Sequence, residues 1–227
     1  GGCWGFWVWA AAARAGGIGL NKKRPADLGR DNLLMGVHIL DACKNFNVPY
    51  LYLIGTCCSY KVDCPVPFKE DDLYLGLGEL TNRGYGESKK MLFTLFDSYR
   101  DQYGLKGGKL IPANLYGVHD HFDLDNSHVI PALIAKFVNA KRNNLPTVEC
   151  WGTGTASREF LNAEDCARAI FMAVEQQLDS TLPINIGTGQ EIVIKDLTEM
   201  IAKLTDYKGQ IIFNGSVSDG QPRRQLD

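Results

Sequence analysis

The chain has 227 residues, enough for one full domain or for one domain and a smaller appendage, and with 45% of them hydrophobic it can supply a real core. Its 24 basic and 26 acidic side chains leave a formal charge of -2, too weak a field to draw nucleic acid or an anionic membrane as partner. Seven scattered cysteines, odd in number and without paired spacing, argue against tetrahedral zinc and fit reduced thiols in a cytoplasmic protein.

A small molecule is therefore the expected partner. The apolar run from Cys3 to Ala13 has no basic segment before it and is too short to span a bilayer, so it reads as a buried strand, with Trp7 to Ala12 its regular part. A Gly-rich turn at Gly16-Gly17 follows, and Asn32 to Asn45 carries Leu33, Leu34, Val37, Leu40 and Ala42 at helical spacing. Val48 to Gly55 is an apolar, aromatic run of strand length. Beyond a loop rich in proline and acid from Cys64 to Asp72, Tyr85 to Tyr103 reads as a long helix with Met91, Leu92, Leu95, Phe96 and Tyr99 inward, ended by Gly104. Lys109 to Leu115 is a further buried strand, and Val129 to Ala140 a helix after a polar loop. Beyond Trp151 the pattern loosens into a short strand at Glu159-Leu161, a helix Ala163 to Gln176, a strand Pro183 to Ile186, a helix Ile194 to Thr205 and a strand Gln210 to Phe213.

This alternation predicts an α/β fold, a Rossmann-like, doubly wound parallel sheet with a smaller C-terminal substrate-binding lobe. The expected division places a partial dinucleotide-binding domain at 1–115 and most of the substrate lobe at 116–227, with segments of the latter returning to the core. The absence of an initial Met and the stop at Asp227, directly after a charged motif, give the expectation that both ends belong to a longer protein.

Tyr85 and Lys89 stand four apart at the start of the long helix, so both side chains lie on one face. A phenol that exchanges a proton near neutrality needs help, because its ordinary pKa is near 10, and a neighbouring ammonium favours the phenolate. Such pairs also occur on solvated helices. The strand end Gly55-Thr56-Cys57-Cys58 lies one loop upstream, and open α/β sheets bind ligands beyond the carboxyl ends of their strands. A hydroxyl at Thr56 would meet a substrate carbonyl there, although a threonine at that point also serves as a cap. Thr56, Tyr85 and Lys89 in this order resemble the catalytic arrangement of the short-chain dehydrogenase/reductase superfamily.

Further segments narrow the resemblance. Pro112 to Gly117, Asn126 to Leu133, Trp151-Gly152-Thr153-Gly154 and Arg158-Glu159-Phe160-Leu161 are similar to stretches of the GDP-L-fucose synthases. So are Ala11-Ala12-Ala13 with Gly16-Gly17-Ile18, Pro25-Ala26-Asp27, Asp31-Asn32, Asn185 to Gly189, and Asp219 to Arg224. The likeness covers the chain from about Ala10 on. It implies NADP-dependent epimerisation at two carbons beside a ketone, followed by reduction of that ketone, on a GDP-sugar. Removing and returning a proton on opposite faces of the sugar needs an acid and a base. The resemblance assigns these to Cys58 and His128, whose thiol and imidazole have tunable pKa values. It further implies that Tyr85 and Thr56 handle the ketone oxygen and that Lys89 binds the nicotinamide ribose. Ala11, Ala12, Asn114, Leu115 and His128 would join Tyr85 and Lys89 around the cofactor. Trp151, Arg158, Arg224 and Lys136 would bind the nucleotide and diphosphate. Taken without the resemblance, Cys58 is equally a small buried apolar residue and His128 a helix cap.

Three departures stand out. Lys136 replaces an arginine common in the family and cannot make its bidentate fork. Cys57 beside Cys58, with Ser59-Tyr60-Lys61 in place of an aromatic-proline step, makes the Cys58 loop unusual. No strand followed by a G-x-x-G-x-x-G turn precedes Ala10, so the phosphate-binding half of a dinucleotide site is not legible, and weak NADP(H) binding is expected of the chain as it stands. Two other readings remain: a nucleotide-sugar 4-epimerase or dehydratase with tightly held NAD, and a non-catalytic binding module that keeps the pocket. A homodimer is expected through the helix carrying Tyr85 and its neighbour, with Phe93 outward.

Overall fold

The computed structural model describes residues 7–124, 127–217 and 219–227, so Gly1, Gly2, Cys3, Gly5 and Asn126 lie outside the described residues. Four strands, β1 (Trp7–Ala10), β2 (Tyr50–Ile54), β3 (Lys106–Pro112) and β7 (Pro183–Ile186), pair in that order, all parallel. Their side chains alternate between two hydrophobic layers. Leu51, Leu53 and Ile111 face one layer with Leu40, Leu92, Phe93 and Phe96, from the helices α2 (Pro25–Asn45) and α3 (Arg83–Tyr103). Tyr52 and Leu110 face the other with Ala173 and Val174 of α5 (Ala163–Glu175). This is the doubly covered parallel sheet that the alternation of elements predicted.

A second core gathers Leu133 and Phe137 of α4 (Val129–Arg142), Val148 of β5 (Thr147–Trp151), Leu197 and Ile201 of α6 (Ile194–Leu204), and Tyr207. Around it, β5 pairs in parallel with β9 (Gln210–Asn214), while β4 (Asn114–Tyr116), β6 (Ser157–Asn162) and β8 (Glu191–Val193) form a three-stranded sheet.

Several expectations need correction. The first strand is an edge strand in the described residues, not a buried one: Trp7 is 40% and Trp9 56% exposed, and only Ala10 enters the core. Apolar composition alone does not distinguish an edge from a centre. The first long helix starts at Pro25, seven residues before the hydrophobic spacing becomes regular, because proline is favoured in the first turn and Asp27 suits the positive helix end. A short helix, α1 (Ile18–Lys23), precedes it where a turn was expected. The predicted strand Lys109 to Leu115 is two strands in different sheets, β3 and β4, separated at Ala113. Strands β5 and β8 had not been anticipated, being short and half exposed. Phe93, expected outward, is 1% exposed and rests against Gly55 and the sheet. The outward apolar residues of these helices are instead Leu34 and Met91. Gly104 ends α3 as expected, in the left-handed conformation at φ 71°.

Candidate active site

The turn after β2 brings the chemistry together. Thr56 is extended and caps a single 3-10 turn, Cys57–Ser59, by accepting the Cys58 N–H at 3.2 Å. The capping reading of Thr56 therefore holds, and its hydroxyl lies close enough to the Cys58 thiol and the Tyr85 phenol to favour their charged forms. The start of α3 is pressed onto this turn. Ser59 Oγ donates to Gly86 O at 2.8 Å, and a Cβ on Gly86 would lie 2.6 Å from Cys58 O. Glycine at that position permits the approach that sets Tyr85 beside Thr56.

Electrostatics then separate the thiol and the phenol. The adjacent Cys57 thiol, the Arg224 guanidinium, Thr56 and the nearby His128 hold Cys58 well below the ordinary thiol range, against the effect of burial. Cys57, as the protonated partner, is driven up. Tyr85 is also driven up, by burial first and then by the negative charge of the adjacent Cys58–Cys57 pair. Burial thus opposes the lowering of Tyr85 that the sequence argument expected from Lys89. Lys89, 6% exposed, has itself been lowered to about 8 by burial. Its one side-chain hydrogen bond among the described residues is to Ala12 O, at 3.4 Å.

Ala11 and Ala12 follow β1 in a segment clamped by Asn32. The Asn32 amide donates to Arg14 O at 2.7 Å and accepts from Arg14 N at 2.9 Å, and Asp31 pairs with the Arg14 guanidinium at 2.5 Å. A small cavity of about 10 Å³, lined by Ala10, Ala12, Asn32, Ile54 and Lys89 among others, lies here at the carboxyl end of the sheet. Asn114 donates to Glu159 O at 2.7 Å, and its Oδ1 is 3.9 Å from the Cys57 sulfur. Leu115, one residue on, pairs with Leu161 in the smaller sheet and is 39% exposed. His128 occupies the cap position of α4 but makes no capping bond with its side chain, and it is exposed.

The carboxyl-terminal segment completes the cluster. Pro222 O and Arg224 O accept the Ser157 and Glu159 N–H groups of β6, and Gln225 O accepts Phe68 N–H, so residues 222–225 are stitched between distant parts of the chain. This delivers Arg224 Nη1 to 3.4 Å from Cys58 Sγ. Arg158 lies close by, donating to Ser157 O and Asp219 O at 2.7 and 2.9 Å, and burial with the Arg224 charge lowers it to about 10. Asp219 also accepts from Thr153 N at 2.8 Å, which ties the loop after Trp151 to Arg158. Lys136 sits 5.1 Å over the exposed Trp151 ring and donates to Glu149 O at 2.8 Å.

Sequence reasoning missed three contributors. Cys57 was noted as odd without a role. Asn32 and Glu159 were quoted as motif letters only, yet one clamps the segment after β1 and the other collects backbone N–H groups from Thr188, Gly189 and Leu226. No described group of His, Cys, Asp and Glu is arranged to hold a metal ion, and no described helix is long and apolar enough to cross a membrane.

A doubly wound sheet that presents a hydroxyl, a phenol and a depressed thiol at its carboxyl end defines a class: α/β enzymes that move protons and hydride at a carbonyl. The sequence profile of the NAD dependent epimerase/dehydratase family matches residues 7–187, and the chain belongs to this family. It is 40% identical to a GDP-L-fucose synthase of Escherichia coli (strain K12), over 97% of this chain and 71% of that protein. Among solved structures it superposes on a GDP-6-OMe-4-keto-L-xylo-heptose reductase from C. jejuni with a TM-score of 0.88 at 28% identity, covering 97% of this chain and 74% of the other. A GDP-L-fucose synthetase from Naegleria fowleri bound to NADP gives 0.86 at 25% identity, covering 97% and 68%.

Proposed function

We propose that this protein converts GDP-4-keto-6-deoxymannose to GDP-L-fucose with NADPH, by epimerisation at two carbons and reduction of the ketone. The 40% identity to a GDP-L-fucose synthase supports the substrate. The observation that carries the chemistry is the Cys58 thiol, 3.4 Å from the Arg224 guanidinium and set beside Thr56 and Tyr85 at the strand end. A reductase or 4-epimerase needs the hydroxyl and the phenol; a thiolate beside them adds a base for carbon acids.

In this reading Cys58, as thiolate, removes the proton from the carbon beside the ketone. The electron pair moves onto the ketone oxygen, where the Tyr85 and Thr56 hydroxyls receive the charge. His128 returns a proton on the opposite face and leaves the centre inverted. The same exchange at the second carbon precedes reduction. The raised pKa of Tyr85 suits a group that must arrive protonated and give its proton to the alkoxide, and the Cys58 charge maintains that state.

Lys89 fits a nicotinamide ribose: it is a buried ammonium with one long hydrogen bond, beside the open Ala12 segment. When bound, the cofactor supplies the hydride. Ala11, Ala12, Asn114 and Leu115 would line it, and Arg158 and Arg224, with Trp151 and Lys136, would take the GDP diphosphate and base. We place the two functions in a cofactor domain, 1–115, and a substrate lobe formed mainly by 116–227. The reading extends to a cytoplasmic homodimer paired through the outer faces of α2 and α3, where Leu34 and Met91 are exposed.

The test is turnover of GDP-4-keto-6-deoxymannose in D2O with NADPH. Both deuterium incorporation beside the ketone and NADPH oxidation are expected. Cys58→Ser should lose both by about 100-fold or more, the upper part of what one acid-base group contributes. Tyr85→Phe should lose reduction while keeping deuterium exchange at a reduced rate, because Thr56 alone then receives the charge on the ketone oxygen. Reduction of the 4-keto sugar with no deuterium uptake would overturn the epimerase half and leave a plain reductase.

A further inference from the structure

Arg224 is 7% exposed, and its contacts are unusual for a buried guanidinium. Its Nε donates to Gln221 Oε1 at 3.3 Å, its Nη1 points to the Cys58 sulfur at 3.4 Å, and no carboxylate forms a salt bridge with it among the described residues. Arg158 stands beside it with its donors on backbone carbonyls. Two guanidinium groups thus stand beside one sulfur, and the carboxylates that act on them, Glu79 and Asp219, form no salt bridge with either among the described residues. A buried cation without its counter-charge is costly, so the cluster is built to receive a further anion. The groups that face Cys58 are Cys57, Thr56, Tyr85, His128, Arg158 and Arg224, while Glu79 acts on Arg224 and Asp219 on Arg158.

We propose that Arg224 is shared: it is the counter-ion of the Cys58 thiolate at rest, and the diphosphate of the nucleotide sugar draws it away on binding. The proposal rests on the nucleotide-sugar reading and deepens it. A thiolate paired with a guanidinium is a weak base, because the cation stabilises the charged form. When the diphosphate takes the guanidinium by bidentate hydrogen bonding, the thiolate loses that stabilisation and its affinity for a proton rises. Cys58 would then become a competent base only once the sugar is seated, and Arg224 would act as a positioning and tuning residue through Cys58.

The experiment follows the rate of Cys58 alkylation by iodoacetamide against pH, located by mass spectrometry, in the protein alone, with saturating GDP and with guanosine. Binding of each is measured in parallel by calorimetry. GDP should move the midpoint of the pH profile upward by about one unit, which slows alkylation about tenfold at pH values below the resting midpoint. Guanosine, which lacks the diphosphate, should leave the midpoint in place; the midpoint, unlike the amplitude, is insensitive to simple shielding. Arg224→Gln should show the raised midpoint without GDP and no further response to it, and Arg224→Lys an intermediate midpoint. GDP that binds without moving the wild-type midpoint overturns the sharing and leaves the nucleotide-sugar reading intact. A response to GDP that persists in Arg224→Gln assigns the effect to Arg158 and also overturns it. Failure of GDP to bind the wild-type protein overturns the nucleotide-sugar reading, and the proposal with it.

Discussion

Lys89 concentrates the cost of function in one side chain. Burial holds its pKa at about 8 against an ordinary 10.5, so the unfolded chain binds that proton more tightly throughout the interval. The sign follows: below pH 8 the ammonium is charged in both states and the full burial penalty weakens the fold. Between pH 8 and 10.5 the unfolded state holds more protons, and stability attributable to this group rises. Lys89→Met should therefore stabilise the protein at pH 7 by up to about 3 kcal/mol, and denaturant melts should show that advantage shrinking as pH approaches 10. Turnover should be lost in the same variant. Tyr85 and Lys89 were legible in the sequence because their spacing on one helix fixes their common face. Their protonation was not, because it depends on desolvation, which spacing does not encode.

Within the elements, the contact between α3 and the Cys57–Ser59 turn decides whether the site forms. A methyl group on Gly86 would meet Cys58 O at 2.6 Å, so Gly86→Ala must push the first turn of α3 away from Thr56. We expect turnover to fall about 100-fold, the scale of a misplacement of about 1 Å, with the circular dichroism spectrum and the bulk of stability retained. A variant with wild-type kcat would show that the approach is not needed. The helix itself was readable from Tyr85 to its glycine stop. The early start of α2 at Pro25 was not, because residues 25–31 offer only Leu28 to the buried face; Asn32, buried at 2% exposure, adds its bonds to Arg14 to that contact.

Across the whole molecule, Glu159 joins three parts of the chain. It is 1% exposed on β6, and its carboxylate accepts the N–H groups of Thr188 and Gly189 after β7 and of Leu226 near the carboxyl end. Glu159→Leu would leave those donors unpaired in the interior, at about 1–3 kcal/mol each in the simplest case. A loss of about 3–5 kcal/mol of stability is expected in denaturant melts, with Arg224 released from Cys58 and the Cys58 alkylation midpoint raised. Glu159→Gln, which keeps one acceptor oxygen, should fall between that variant and the wild type.

The alternation of the core strands and helices, the doubly covered sheet, and the Thr56, Tyr85 and Lys89 series follow from the sequence alone, because alternation, helical spacing and strand-end position are local properties. Only the tertiary structure decided that the first strand lies at an edge of the described sheet, that Lys109 to Leu115 divides between two sheets, and that Phe93 points inward. It also decided the electrostatics of the site. Arg224 lies 166 residues from Cys58 in the chain, and no local pattern records that the carboxyl-terminal segment returns along β6 to set a guanidinium against that sulfur. The lowered thiol, the raised phenol and the weakened ammonium all arise from contacts and desolvation that exist only once the chain has closed on itself.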